Sequence, residues 1–237
     1  MSFIEELKNN RDKQIMAISI VFFVLSFPAY FYFAAQGADD VSASTIVATY
    51  EIEGEPQYIE LGSGDEFIAD GETLSIDNLH TDSIDDADDM NIIGVRLTMT
   101  YTESEDTSGA TCNLPGGSGN AADDTITGTT MYGEYNDTAS GSNNGDSGSH
   151  TVELYWINNV SLLNGETVTM SKSDIIAGID AGGLGLGAYM AEISVDAEAG
   201  GAPPGCQRSD AGEDVSYSVE IIVFEYEIVP SFDVEEL

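Results

Sequence analysis

From Ile15 to Ala35 the chain runs through 21 residues without a single charge. A helix rises about 1.5 Å per residue, so this run matches a hydrocarbon core of about 30 Å. It predicts a transmembrane anchor over residues 15–36, preceded by a tail of residues 1–14 and followed by one domain over residues 37–237. Pro28 is compatible with a span, because backbone groups freed by proline find other partners in membrane helices. The competing expectation is a secretory signal cut before Ala38, where Ala35, Gln36 and Gly37 supply suitable spacing. A signal core of about 7–15 residues is shorter than this run, which favours the anchor. Either way, residues 38–237 are expected on the far side of a membrane.

Charge gives the direction. Glu5, Glu6 and Asp12 balance Lys8, Arg11 and Lys13 in the tail, so the whole formal charge of −37 lies beyond the anchor. There, Arg96, Lys172 and Arg208 are the only Lys or Arg. The positive-inside rule then puts the N-terminus in the cytoplasm and the acidic portion outside, with Tyr30 and Tyr32 at the outer interface. A balance of 43 acids to six basic residues excludes a simple electrostatic nucleic-acid binder. Such a surface matches solubility at high salt, mutual repulsion or the binding of divalent cations.

An apolar N-terminal helix before a β-rich head is similar in outline to type IV pilin-like and archaellin-like subunits. The similarity covers about 25 residues at the N-terminus. It departs at the processing site: those families place a small residue, often Gly, after a basic one, where this chain has Lys13-Gln14-Ile15. The aromatic stretch Phe27 to Phe33 also differs from a smooth aliphatic filament core. The resemblance implies a filament subunit, kept as an alternative.

Beyond the anchor, apolar residues recur with period two. Ile93, Val95, Leu97, Met99 and Tyr101 alternate with polar residues over Asn91–Thr102, as in a half-buried strand. Gly187–Ala197 and His150–Ile157 do the same. Val215–Val229 changes phase, which predicts a bulge near Ile222 or burial on both faces. Shorter strands are expected at 45–52, 57–61, 73–76, 125–135 and 166–171, with a short helix over 173–179 capped by Ser173. Polar, Gly-rich turns between them predict a mainly β domain, an antiparallel β-sandwich or jelly roll. Residues 103–124 and 136–149 read as exposed loops.

The chemistry-bearing candidates are few. Cys112 and Cys206 form an even pair expected in an oxidising compartment, hence a disulfide. Asn136 and Asn159 head the sequons Asn-Asp-Thr and Asn-Val-Ser and are candidate glycosylation sites. Asp85, Asp86, Asp88 and Asp89 offer hard oxygen ligands for Ca²⁺, without the spacing of an EF-hand. Gly182–Gly187 resembles a dinucleotide loop but lacks the βαβ context, so a turn is expected there. Trp156 and Tyr155 are the aromatics to watch for a sugar platform. No catalytic motif stands out, and His80 and His150 are isolated. The expectation is a non-enzymatic, single-pass envelope protein with a structural, adhesive or assembly role. It would meet lipid through residues 15–36 and protein partners or its own copies at the surface. A secreted carbohydrate-binding or hydrolytic domain is the other alternative.

Overall fold

A computed structural model describes residues 45–102, 106–115, 119–143 and 147–231, with Ser26. Apart from Ser26, the predicted tail and anchor lie outside the described residues. No helix among the described residues is long and apolar enough to cross a membrane. The chain forms β1 (Val47–Glu53), β2 (Pro56–Ala69), β3 (Thr73–His80), β4 (Ile92–Thr102) and β5 (Asp106–Ser108). Next come β6 (Thr125–Tyr132), β7 (Tyr135–Ser142), β8 (Gly148–Tyr155) and β9 (Thr167–Ser171). Helix α1 (Lys172–Ile179) is followed by β10 (Ala188–Asp196), β11 (Gln207–Ser209), β12 (Gly212–Phe224) and β13 (Glu227–Pro230). The fold is mainly β and antiparallel throughout its sheets.

Two four-stranded sheets, ordered β2-β12-β4-β8 and β3-β10-β6-β7, dominate. They lie face to face. A Cβ on Gly128 of β6 would strike Met99 and Leu97 of β4, and one on Gly62 of β2 would strike Leu79 of β3. Alternation places Leu97, Met99, Val219 and Ile221 from one sheet against Ile126, Ala191 and Ile193 from the other, all without exposed surface. Full burial of each large apolar side chain contributes about 1.5–3 kcal/mol. A smaller sheet, β13-β1-β9, and helix α1 extend this core through Ile52, Ile175 and Ile179. Asn91 ties these parts together: its Nδ2 donates to the carbonyls of Ile179 and Phe224, and its Oδ1 accepts from the Ala181 N–H.

The expected strand Val215–Val229 is in fact two, because β12 ends at Phe224 and β13 pairs with β1 in a different sheet, so the change of phase combines that break with a bulge and burial on both faces. The β12–β4 register shifts between Ile222 and Val223, and Ile221, Ile222, Val223 and Phe224 are all buried. Other expectations need correction. Residues 125–135 are not one strand: the chain reverses at Gly133-Glu134, with Gly133 at φ 57°, a two-residue hairpin that needs a residue free of Cβ strain. Residues 136–149 are accordingly not one exposed loop, since β7 pairs along its length with β6 and β8 begins at Gly148. Strand β2 runs eight residues past its expected end at Leu61, through Gly- and acid-rich sequence, because β12 offers a continuous partner. The α1 cap is Ser171 rather than Ser173. Ser171 Oγ accepts from the Asp174 N–H at 3.2 Å and donates to Asp174 Oδ2 at 2.6 Å, which fixes the helix start two residues earlier.

At one end of the sheets, the chain between β4 and β6 meets the chain between β10 and β12. Strands β5 and β11 pair there, Asn120 bridges Gly201, and Cys112 is disulfide-bonded to Cys206 with Cα atoms 4.9 Å apart. Both cysteines are buried.

Two outcomes follow from this architecture. Gly94→Ala would bring a Cβ to 2.5 Å from the backbone carbonyl of Leu154 on β8, where neither strand can yield cheaply. Urea unfolding should show a loss of about 1–3 kcal/mol, the usual cost of overpacking. The bridge closes a separation of 94 residues. Replacing both cysteines by serine should therefore lower stability by about 2–5 kcal/mol, measured in the same way.

Candidate functional site

Strand ends at the disulfide-bonded end of the molecule bring three acids together. Asp124 immediately precedes β6, Asp210 follows β11, and Glu213 is the second residue of β12. One carboxylate oxygen from each lies within 4.8 Å of the other two. Asp124 and Glu213 have no exposed surface, and Asp210 is half-buried. Backbone groups hold the cluster in place. Asp124 Oδ1 accepts from the Glu198 N–H at 2.7 Å, and Asp210 Oδ1 from the Gly212 N–H at 3.0 Å. Asn143 clasps Asp124 from β7's end, its Oδ1 accepting from the Asp124 N–H at 3.0 Å and its own N–H donating to the Asp124 carbonyl. Desolvation pushes the Asp210 carboxyl above its ordinary range, and the negative charges of Asp124 and Asp70 add to the effect. The arrangement offers oxygen donors of the kind that hard cations take.

The acids singled out in the sequence are placed differently. Asp85, Asp86, Asp88 and Asp89 sit exposed along two 3₁₀ turns, Thr81–Ser83 and Ala87–Asp89, between β3 and β4. Among the described residues, it is Asp124, Asp210 and Glu213 that form a close three-ligand group. Asn136 is exposed on β7. Asn159 is half-buried beside a short 3₁₀ turn, its Oδ1 accepting from Ser161 Oγ at 2.7 Å. Trp156 belongs to the core: it is 6% exposed, donates from Nε1 to the Ile92 carbonyl at 2.8 Å, and packs on Tyr132 with ring centres 4.7 Å apart. Gly182–Gly187 forms turns leading into β10, where Tyr132 Oη accepts from the Gly185 N–H.

The outer faces of the large sheets carry hydroxyls. Thr127 meets Ser140 at 2.8 Å and Thr129 meets Thr138 at 2.9 Å across β6 and β7. On the other sheet, Arg96 of β4 donates from Nε and Nη2 to Glu220 Oε2 at 3.0 and 2.7 Å, with its guanidinium 3.3 Å from the Tyr58 ring centre. That pairing uses charge, hydrogen bonding and cation–π attraction together.

Sequence reasoning missed the triad, because its members are up to 89 positions apart and acids in similar polar surroundings recur throughout the chain. The one local signal was at Glu213, an acid at the entrance of the strongly alternating strand β12. The chain matches no known family model and no curated protein.

His150 is a second interior polar group. It lies edge-on to Tyr101 with ring centres 5.8 Å apart, and both ring nitrogens are shielded from solvent. Burial lowers its pKa below the ordinary histidine value, with a backbone hydrogen bond at Ala139 opposing in part. A depressed folded-state pKa means that the neutral ring stabilises the fold above about pH 6.5, and that this contribution is lost as pH falls through the folded value. An NMR titration of the His150 ring should give a midpoint below about 6.5. Between pH 7 and pH 5, His150→Gln should lose less stability than the parent.

Proposed function

We propose that this chain is a non-enzymatic envelope protein, anchored by residues 15–36 with its N-terminus in the cytoplasm, whose acidic domain serves a structural, adhesive or assembly role outside the membrane. The observation that carries the reading is the Cys112–Cys206 disulfide. Such bridges persist in oxidising, extracytoplasmic compartments, and this one lies in the portion that charge asymmetry directs outward. The domain reads as a jelly-roll sandwich. Support comes from four nested antiparallel pairs, β2 with β12, β3 with β10, β4 with β8, and β6 with β7, the pattern of one long hairpin rolled into two sheets. Jelly rolls occur in shell-forming and sugar-binding proteins alike, so the fold by itself does not choose the role. The burial of Trp156 in the core weighs against a sugar platform built on it.

Intact mass and N-terminal sequencing of protein from native membranes, with protease protection of intact cells, tests the reading. An uncleaved start in the membrane fraction, with the acidic domain digested from outside, is the expected outcome. A start at Ala38 in the soluble fraction would replace the anchored reading with a secreted one. A start near Ile15, with fibres in micrographs, would replace it with the filament reading.

A further inference from the structure

We propose that Asp124, Asp210 and Glu213 bind one divalent cation of the calcium class at the seam between the disulfide-bonded loops and the two large sheets. Asp124 is wholly buried, and its Oδ2 is closed off from solvent without a hydrogen-bond partner; Asp210 Oδ2 is in the same state. The other oxygen of each is already held by a backbone N–H. The unused oxygens are therefore available to a ligand that does not come from the protein's own hydrogen-bonding groups. An ionised carboxylate buried in this way is strongly disfavoured unless a counter-charge stands beside it. The Asp210 carboxylate beside it adds to the requirement.

The geometry fits calcium. Oxygens on opposite sides of a Ca²⁺ ion, each about 2.3–2.6 Å from it, lie up to about 5 Å apart, and the three carboxylates fall within 4.8 Å of one another. Binding through one or two oxygens each, they supply about three to six of the 6–8 ligands that the ion takes. Mg²⁺ holds its waters in a tight octahedron, which suits a closed site of side-chain oxygens less well. This site is distinct from the exposed carboxylates of Asp85, Asp86, Asp88 and Asp89, and it does not depend on how the chain is anchored.

Thermal unfolding of the full chain in detergent tests the proposal, in about 1 M NaCl so that diffuse attraction to the acidic surface is screened. After treatment with EDTA, CaCl₂ at about 100 times its binding midpoint should raise Tm by about 5 °C or more. Asp124→Asn keeps an oxygen for the Glu198 N–H and removes one buried charge. It should therefore melt in EDTA at or above the parent's temperature and show no calcium response. Asp88→Asn should keep the full response. Should Asp124→Asn fail to fold, Asp210→Asn is read by the same criteria. A parent Tm indifferent to both EDTA and CaCl₂ would mean that protons or the Arg208 guanidinium neutralise the triad, and would overturn the proposal. A response that survives Asp124→Asn and Asp210→Asn but vanishes with Asp88→Asn would overturn it equally, by placing the ion on the β3–β4 turns.

Discussion

With three Lys or Arg beyond residue 36, the carboxylates of this fold must be stabilised by neutral partners. The structure answers with backbone amides and hydroxyls. Asp70, Asp124, Asp180 and Asp210 each accept a backbone N–H, from Ala197, Glu198, Gly182 and Gly212 in turn. Glu60 takes a hydroxyl from Ser63, Asp65 one from Ser216, and Glu153 one from Tyr155. Burial and Glu153 raise the Tyr155 pKa above the ordinary phenol value, which extends the alkaline range over which the phenol can donate. The Arg96–Glu220 pair is accordingly central to its sheet face: it bridges the middle strands, and Arg96 also stands opposite Glu153 in register.

Neutral partners hold acids in place without cancelling their charge, so cohesion must come from elsewhere. It comes from the facing interiors of the two large sheets, where β4, β6, β10 and β12 contribute fully buried aliphatic side chains. The close approach at Gly128 and Gly62 lets those layers interlock. Threonine and serine ladders then finish the outer faces, giving β-favouring side chains that hydrogen-bond across strands without adding charge.

Legibility in the sequence followed burial. Strands β4, β8, β10 and β12 alternate because one face of each lies in the core, and their positions could be read directly. Strand β7 could not, since Tyr135–Ser142 is polar on nearly every residue and is defined by its pairing with β6 rather than by any apolar period. The second half of β2 was hidden for the same reason. The disulfide was legible because two cysteines allow one intramolecular pairing. The acidic triad was not: in so acidic a chain, carboxylate spacing carries almost no information, and only the fold selects which acids meet.

The same constraint gives the disulfide-bonded end its particular character. The segments that leave β4 and β10 and enter β6 and β12 converge there, and they carry little apolar surface with which to stay folded. Cys112–Cys206 joins them covalently, β5 pairs with β11, and Asp124 reaches across to Glu198. Placing Asp124, Asp210 and Glu213 in the same seam sets charge repulsion against those ties, at a point where the entrances of β6 and β12 meet. A disulfide restrains the loops whatever their state of charge. A counter-ion would act on the strand entrances themselves, turning the mutual repulsion of these three carboxylates into a cross-link between the two sheets.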